Sequence, residues 1–95
     1  MERALKDLCS VGKATLKDFE VLGIKTVKQL VTQDATDLYE RLCKITKLTH
    51  DPCCLDVFRA AIEQAKNPNL AKEKCQWWYW SRKRKLENDI KKRKI

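Results

Sequence analysis

Residues 5–30, LKDLCSVGKATLKDFEVLGIKTVKQL, decide how the chain is read. Leu5 and Leu8 lie three apart, which predicts a short helix over about 2–9 with both leucines facing inward. Ser10, Val11 and Gly12 interrupt it as a hairpin, and Gly12 supplies the backbone freedom expected of a sharp reversal. A second helix is expected from about Lys13 to Leu22, with Leu16, Phe19 and Leu22 along one stripe. Gly23 then caps it, and Ile24 packs back on its last turn. Two helices joined in this way leave amides and a lysine where the second begins. The first N–H groups of a helix have no intrahelical partner and carry partial positive charge, so the place suits an anion.

Working outward, Thr26-x-x-Gln29 reads as a capping box opening a third helix that buries Val27, Leu30 and Val31. Asp34 is the expected N-cap of a fourth, where Leu38, Tyr39, Leu42 and Cys43 show helical spacing. Asp51-Pro52 pairs a capping carboxylate with proline at the first helical position. The helix it opens is expected to bury Leu55, Phe58, Ile62 and Ala65 and to stop before Asn67-Pro68. A last helix begins near Leu70 and carries Trp77, Trp78 and Trp80. No segment alternates apolar and polar with period two over a useful length. The expected class is all-α, with about six helices in one domain of 95 residues.

The formal charge of +8 is unevenly spread. Residues 82–95 hold Arg82, Lys83, Arg84, Lys85, Lys91, Lys92, Arg93 and Lys94 against only Glu87 and Asp89, a surplus of +6 that leaves +2 for residues 1–81. The chain is therefore divided into a domain over 1–81 and a basic tail over 82–95. Such a tail draws in any polyanion through counterion release, or serves as a solvated helix end. In a nucleated cell its RKRK run would also suit a nuclear-import signal.

Other function classes find little support. Five cysteines are an odd number in a chain with no apolar leader, so neither secretion nor a disulfide framework is expected. No run approaches the roughly 20 apolar residues of a membrane span, and the expected location is cytoplasmic. His50 before Cys53 and Cys54 raises a metal or redox sensor as one reading. The second ligand pair of a zinc site is missing, and buried thiols acting as small apolar groups are the other reading. His50 is the only histidine and has no triad element around it. No enzyme activity, catalytic residue, cofactor or metal is expected.

Leu5-x-x-Leu8-Cys9-Ser10-Val11-Gly12-Lys13, followed by an amphipathic helix ending in Leu22-Gly23-Ile24, resembles the helix-hairpin-helix motif. Residues 3–82 are similar to the bacterial Cdd1 ("pathogenicity locus") family. The resemblance is carried by VGKATLKDFEVLGIKTVKQL at 11–30, DLYERLC at 37–43, DPCCLDVFRAAI at 51–62 and WWYW at 77–80. It implies a helix-hairpin-helix (SAM-like) bundle and non-specific DNA binding through the phosphate backbone. The motif's hairpin runs glycine–apolar–glycine. Val11 and Gly12 keep the last two positions, Ser10 stands at the first, and Cys9 stands where proline is common. Serine tolerates a left-handed backbone less well than glycine. Carried onto this chain, Ser10, Val11, Gly12, Lys13, Ala14 and Thr15 would present amides, and Lys13 and Lys17 would flank a phosphate. Arg82, Lys83, Arg84 and Lys85 would add non-specific attraction. The other reading of the hairpin is purely architectural.

Trp77, Trp78, Tyr79 and Trp80 precede the basic tail. They read as a stacking surface for unpaired bases, as an anchor for a partner protein, or as a core closed by Trp77 and Trp80. Four consecutive aromatics cannot all face inward on a helix, so Trp78 or Tyr79 is expected to be partly exposed. The function expected from all this is a non-catalytic module that binds DNA, most simply as a duplex, with little base preference. The alternative is a protein-interaction adaptor anchored by Trp78 and Tyr79. No recognition helix for a defined operator is evident.

Overall fold

The computed structural model describes residues 3–93, with side chains as far as residue 87. The expected helix start at Glu2, the side chains of Lys91, Lys92 and Arg93, and Lys94 lie outside the described residues. Among these residues the chain is entirely helical, with five α-helices and no strand: α1 (Lys13–Val21), α2 (Val27–Leu30), α3 (Ala35–Thr46), α4 (Pro52–Lys66) and α5 (Trp77–Arg93). Two 3₁₀ turns complete it, at Leu5–Asp7 and Lys72–Cys75.

Local capping accounts for most boundaries. The Thr26 hydroxyl accepts from the Gln29 amide while the Gln29 side chain accepts from the Thr26 amide, so the expected capping box opens α2. Asp34 caps α3 through the Asp37 amide, and Asp51 caps α4 through the Cys53 amide at 2.9 Å with Pro52 next in line. At the end of α1, Gly23 takes a left-handed φ of 78°. Its amide donates to the Glu20 carbonyl, and the Ile24 amide donates to that of Phe19, the paired bonds of a Schellman stop. Lys47 ends α3 in the same left-handed region without the help of glycine.

Five α-helices stand where about six were expected, and the difference is the first. Leu5–Asp7 makes one 3₁₀ turn, closed by Asp7, whose carboxylate accepts from the Ala4 amide at 2.8 Å. Leu8 then turns extended, with φ −76° and ψ 139°, and the helix cannot continue. Residues i and i+3 stack on one side of a 3₁₀ turn, so Leu5 and Leu8 are both buried as their spacing required. The last helix also starts later than expected. The Lys72–Cys75 turn comes first, and α5 begins at Trp77 rather than near Leu70.

The core gathers Leu5, Leu8, Phe19, Leu22, Ile24, Val27, Leu30, Leu38 and Leu42 around Phe58, Ile62 and Ala65 of α4. Phe19 and Phe58 stack with ring centroids 5.4 Å apart. Two expected core residues differ: Val31 is exposed because α2 ends at Leu30, and Leu55 is only half-buried. Helix α4 touches α2, α3, α5 and the Lys72–Cys75 turn, so it must be covered on more than one side. Its second face carries Asp56, Ala60 and Gln64, four apart and all buried. No helix among the described residues is long and apolar enough to cross a membrane.

Candidate functional site

The hairpin is held from below by Gln64. Its Oε1 accepts from the Cys9 amide at 2.8 Å, and its Nε2 donates to the carbonyls of Cys9 and Ala60 at 3.0 and 3.1 Å. A longer contact of 3.4 Å runs from the same nitrogen to the Cys75 carbonyl. A buried amide side chain thus satisfies both polar groups of Cys9, at a point where no helix or strand could do so. With Cys9 pinned, the chain reverses at Ser10, whose φ is 69°. Gly12 has φ −98° and ψ −172°, an extended conformation open to any residue, and a Cβ built there would meet nothing within 4 Å. The reversal expected of Gly12 is therefore made by Ser10, against the ordinary preference of a serine.

Ser10 also serves a second helix. Its Oγ accepts from the Trp77 amide at 3.0 Å and donates to the Cys75 carbonyl at 3.3 Å, so it caps α5 from 67 residues away. Those bonds turn the Ser10 hydroxyl toward the protein and away from any phosphate. They also place the hairpin beside the start of the aromatic and basic helix, a neighbourhood that sequence reading left open.

Helix α1 begins at this junction. Its first closing bond runs from the Leu16 amide to the Gly12 carbonyl at 2.9 Å, and no side chain caps the end. The amides of Lys13, Ala14 and Thr15 therefore precede the first turn of hydrogen bonds, at the positive end of the helix. The Val11 amide is used differently, donating to the Leu8 carbonyl at 3.3 Å. Val11 packs half-buried against the core, Lys13 and Lys17 are exposed, and Gly12 leaves the approach unobstructed.

Of the eight cations in the basic tail, the four expected to attract DNA divide sharply. Arg82, Lys83 and Lys85 are exposed. Arg84 instead grips Asp56 in two-pronged fashion, Nε to Oδ1 and Nη2 to Oδ2 each at 3.1 Å, with the Asp56 side chain wholly buried. The paired carboxylate raises the Arg84 guanidinium pKa further. Such a fork–fork pair is a strong, geometrically exacting contact, and it fixes α5 against α4. The boundary drawn at 81/82 lies inside α5, and Ser81 just before it is buried.

Of the aromatics, Trp78 is half-exposed and the Arg82 guanidinium lies 4.9 Å above its ring. Lys83 lies 5.2 Å from the centroid of Trp80, whose indole N–H donates to the Lys74 carbonyl at 2.8 Å. Tyr79 meets Trp80 edge-on, with centroids 5.1 Å apart. Trp77 and Trp80, expected to close the core, do not belong to it: Trp77 is 39% exposed at the first position of α5, and Trp80 is half-buried.

His50, Cys53 and Cys54 do not converge on a common point. His50 is engaged by α3: its Nε2 lies 2.8 Å from the Thr46 hydroxyl, and its carbonyl accepts from the Tyr39 hydroxyl. The hydrogen bond to Asp51 holds the Cys53 thiol protonated, and burial does the same for Cys54. Burial, with Cys9 beside it, likewise pushes up the Cys75 thiol. Raised thiols are poor nucleophiles and poor metal ligands at neutral pH. Among the described residues no group of three or more His, Cys, Asp or Glu side chains is placed to hold a metal ion.

Sequence reading missed Asp56 and Gln64, which set the geometry of this region. Their signal was the spacing Asp56, Ala60, Gln64, a second stripe at every fourth residue beside the apolar one.

Residues 2–86 match the Cdd1 family, described as "Pathogenicity locus". A mitomycin resistance protein, McrB, from Streptomyces lavendulae is 33% identical over 81 residues, covering 85% of this chain and 73% of that protein. No solved structure matches. The chain belongs to the Cdd1 family.

Proposed function

With family membership as the premise, we propose that the chain is a non-catalytic module of the bacterial cytoplasm that binds DNA by its phosphates, without reading base sequence. Residues 5–22 then form a helix-hairpin-helix of the SAM-like kind in which the first helix has shrunk to a 3₁₀ turn. The observation that carries this reading is the uncapped start of α1, tied through Ser10 to the base of the cationic helix α5. A phosphate oxygen there accepts from the amides of Lys13, Ala14 and Thr15, with Lys13 and Lys17 alongside. Arg82, Lys83 and Lys85 supply diffuse attraction. Arg84 supplies none, being spent on Asp56.

The test uses a labelled duplex, a salt series, and the Gly12→Asp variant. Gly12 is the N-cap of α1, and aspartate is a preferred residue there. Its carboxylate would occupy the amides that the phosphate needs while stabilising the helix. Loss of binding is therefore not loss of fold. Binding should fall with salt at a logarithmic slope of about −0.9 per phosphate neutralised. Gly12→Asp should weaken it by roughly tenfold, the scale of one charged hydrogen bond. Undiminished binding by a folded Gly12→Asp protein would make the hairpin architectural. Absence of any binding at low salt, to duplex and to single strand alike, would favour an adaptor that docks a partner on Trp78 and Tyr79.

A further inference from the structure

We propose that the outer face of α5 is a platform for unpaired bases, so that the protein prefers single-stranded segments to continuous duplex. The proposal rests on the DNA-binding reading above and names the form of nucleic acid that this reading leaves open.

A phosphate site calls for amides and cations alone, yet α5 presents more than charge. Tyr79, Arg82, Lys83 and Leu86 line, with Glu73, a groove of about 310 Å3 whose surface is mostly apolar. Leu86 is 62% exposed, on a helix whose other outward residues are largely charged. Trp78 does not line the groove but is linked to it through Arg82, whose guanidinium lies over its ring, and it is 37% exposed. On the other flank Lys83 lies over Trp80, which is pinned by its bond to the Lys74 carbonyl. The platform is therefore rigid on one side and stacked with cations on both.

Three features select the occupant. The cations Arg82 and Lys83 outnumber Glu73, so the groove suits an anionic ligand. Planar cationic and aromatic groups stack on the face of any base, which gives affinity without sequence preference. A duplex hides its base faces within the stack and would leave Trp78, Tyr79 and Leu86 idle, whereas a single strand exposes them. The Ser10–Trp77 bond joins the hairpin to the first residue of α5, the helix that carries this platform. A strand held by its phosphates can then lay its bases on α5.

The experiment compares a labelled oligothymidylate of about 16 nucleotides with a duplex of equal length, at matched low salt. The full chain is used, together with Trp78→Ala, Trp78→Phe and Leu86→Ser, each checked for fold by circular dichroism. The single strand should bind roughly tenfold more tightly and quench tryptophan fluorescence, since one stacked base accounts for a difference of that order. Trp78→Ala should erase most of that preference while duplex affinity stays within about twofold, and Trp78→Phe should restore it. Leu86→Ser, at an exposed site, should weaken the single strand alone. If the duplex binds as well as the single strand, or Trp78→Ala weakens both equally, the aromatic platform is refuted and the phosphate reading stands. If neither form binds, both fall.

Discussion

The two faces of α4 are built on opposite principles. One presents Phe58, Ile62 and Ala65 to α1–α3, and it is held by burial of apolar surface and the Phe19–Phe58 stack. The other presents Asp56, Ala60 and Gln64 to the C-terminal elements and the hairpin, and it is held by specific polar bonds. The apolar face tolerates changes of shape that keep volume. The polar face requires each partner, because a buried polar group left unmatched costs more than its bond contributed. Everything proposed for function hangs from the polar face: Gln64 sets the hairpin, and Asp56 holds α5 through Arg84.

The largest effects are expected at the buried centre of α4. Phe58→Ala should cost about 3–5 kcal/mol by denaturant unfolding, since the ring is almost wholly buried. Arg84→Ala should cost about 3 kcal/mol by leaving the Asp56 carboxylate buried and unpaired, while the double change to Asp56→Leu with Arg84→Met should recover most of it. That recovery separates the faces, because no second substitution of similar size should rescue Phe58→Ala. Truncation after residue 81 removes Arg84 and should destabilise likewise, so it cannot serve as a test of the cationic residues alone.

Smaller changes sharpen the account of the hairpin. Ser10→Ala should cost about 1–2 kcal/mol for the lost bonds to Trp77 and Cys75. Ser10→Gly should cost about 1 kcal/mol less, because glycine accepts the left-handed φ without strain. The glycines should contrast in the same measurement: Gly23→Ala at φ 78° costs about 1 kcal/mol, and Gly12→Ala stays within about 0.5 kcal/mol. The smallest effect is at the start of α4, where the hydrogen bond from the Cys53 amide holds the Asp51 carboxyl below its usual pKa. A depressed carboxyl stabilises the fold above its unfolded value, and that contribution disappears as pH falls through the folded value. Acid melting should therefore be shallower in Asp51→Asn, which keeps a cap with no charge to titrate.

What was legible in the sequence was what local chemistry decides. Thr26, Asp34 and Asp51 mark helix starts because their side chains bond to amides only two or three residues away. Phe19, Leu30, Leu38, Leu42 and Phe58 are core residues because helical periodicity needs no knowledge of the partner. Spacing alone could not tell the first α-helix from a 3₁₀ turn, since Leu5 and Leu8 share a side in both. The reversal at Ser10 rather than Gly12 follows from bonds to residues 64, 75 and 77, which residue type alone does not reveal. Arg84 looked like one more cation of a tail because its partner lies 28 residues earlier, on a helix face that reads as solvated until its spacing of four is noticed.

The central claim is that the open start of α1 receives a phosphate. The most direct measurement is a titration of the isotope-labelled full chain with a short duplex, followed by amide chemical shifts. The account predicts the largest shifts at Lys13, Ala14 and Thr15, with smaller ones at Arg82, Lys83 and Lys85 and little change at Arg84. Shifts confined to α5, or spread over the protein while those three amides stay still, would contradict it.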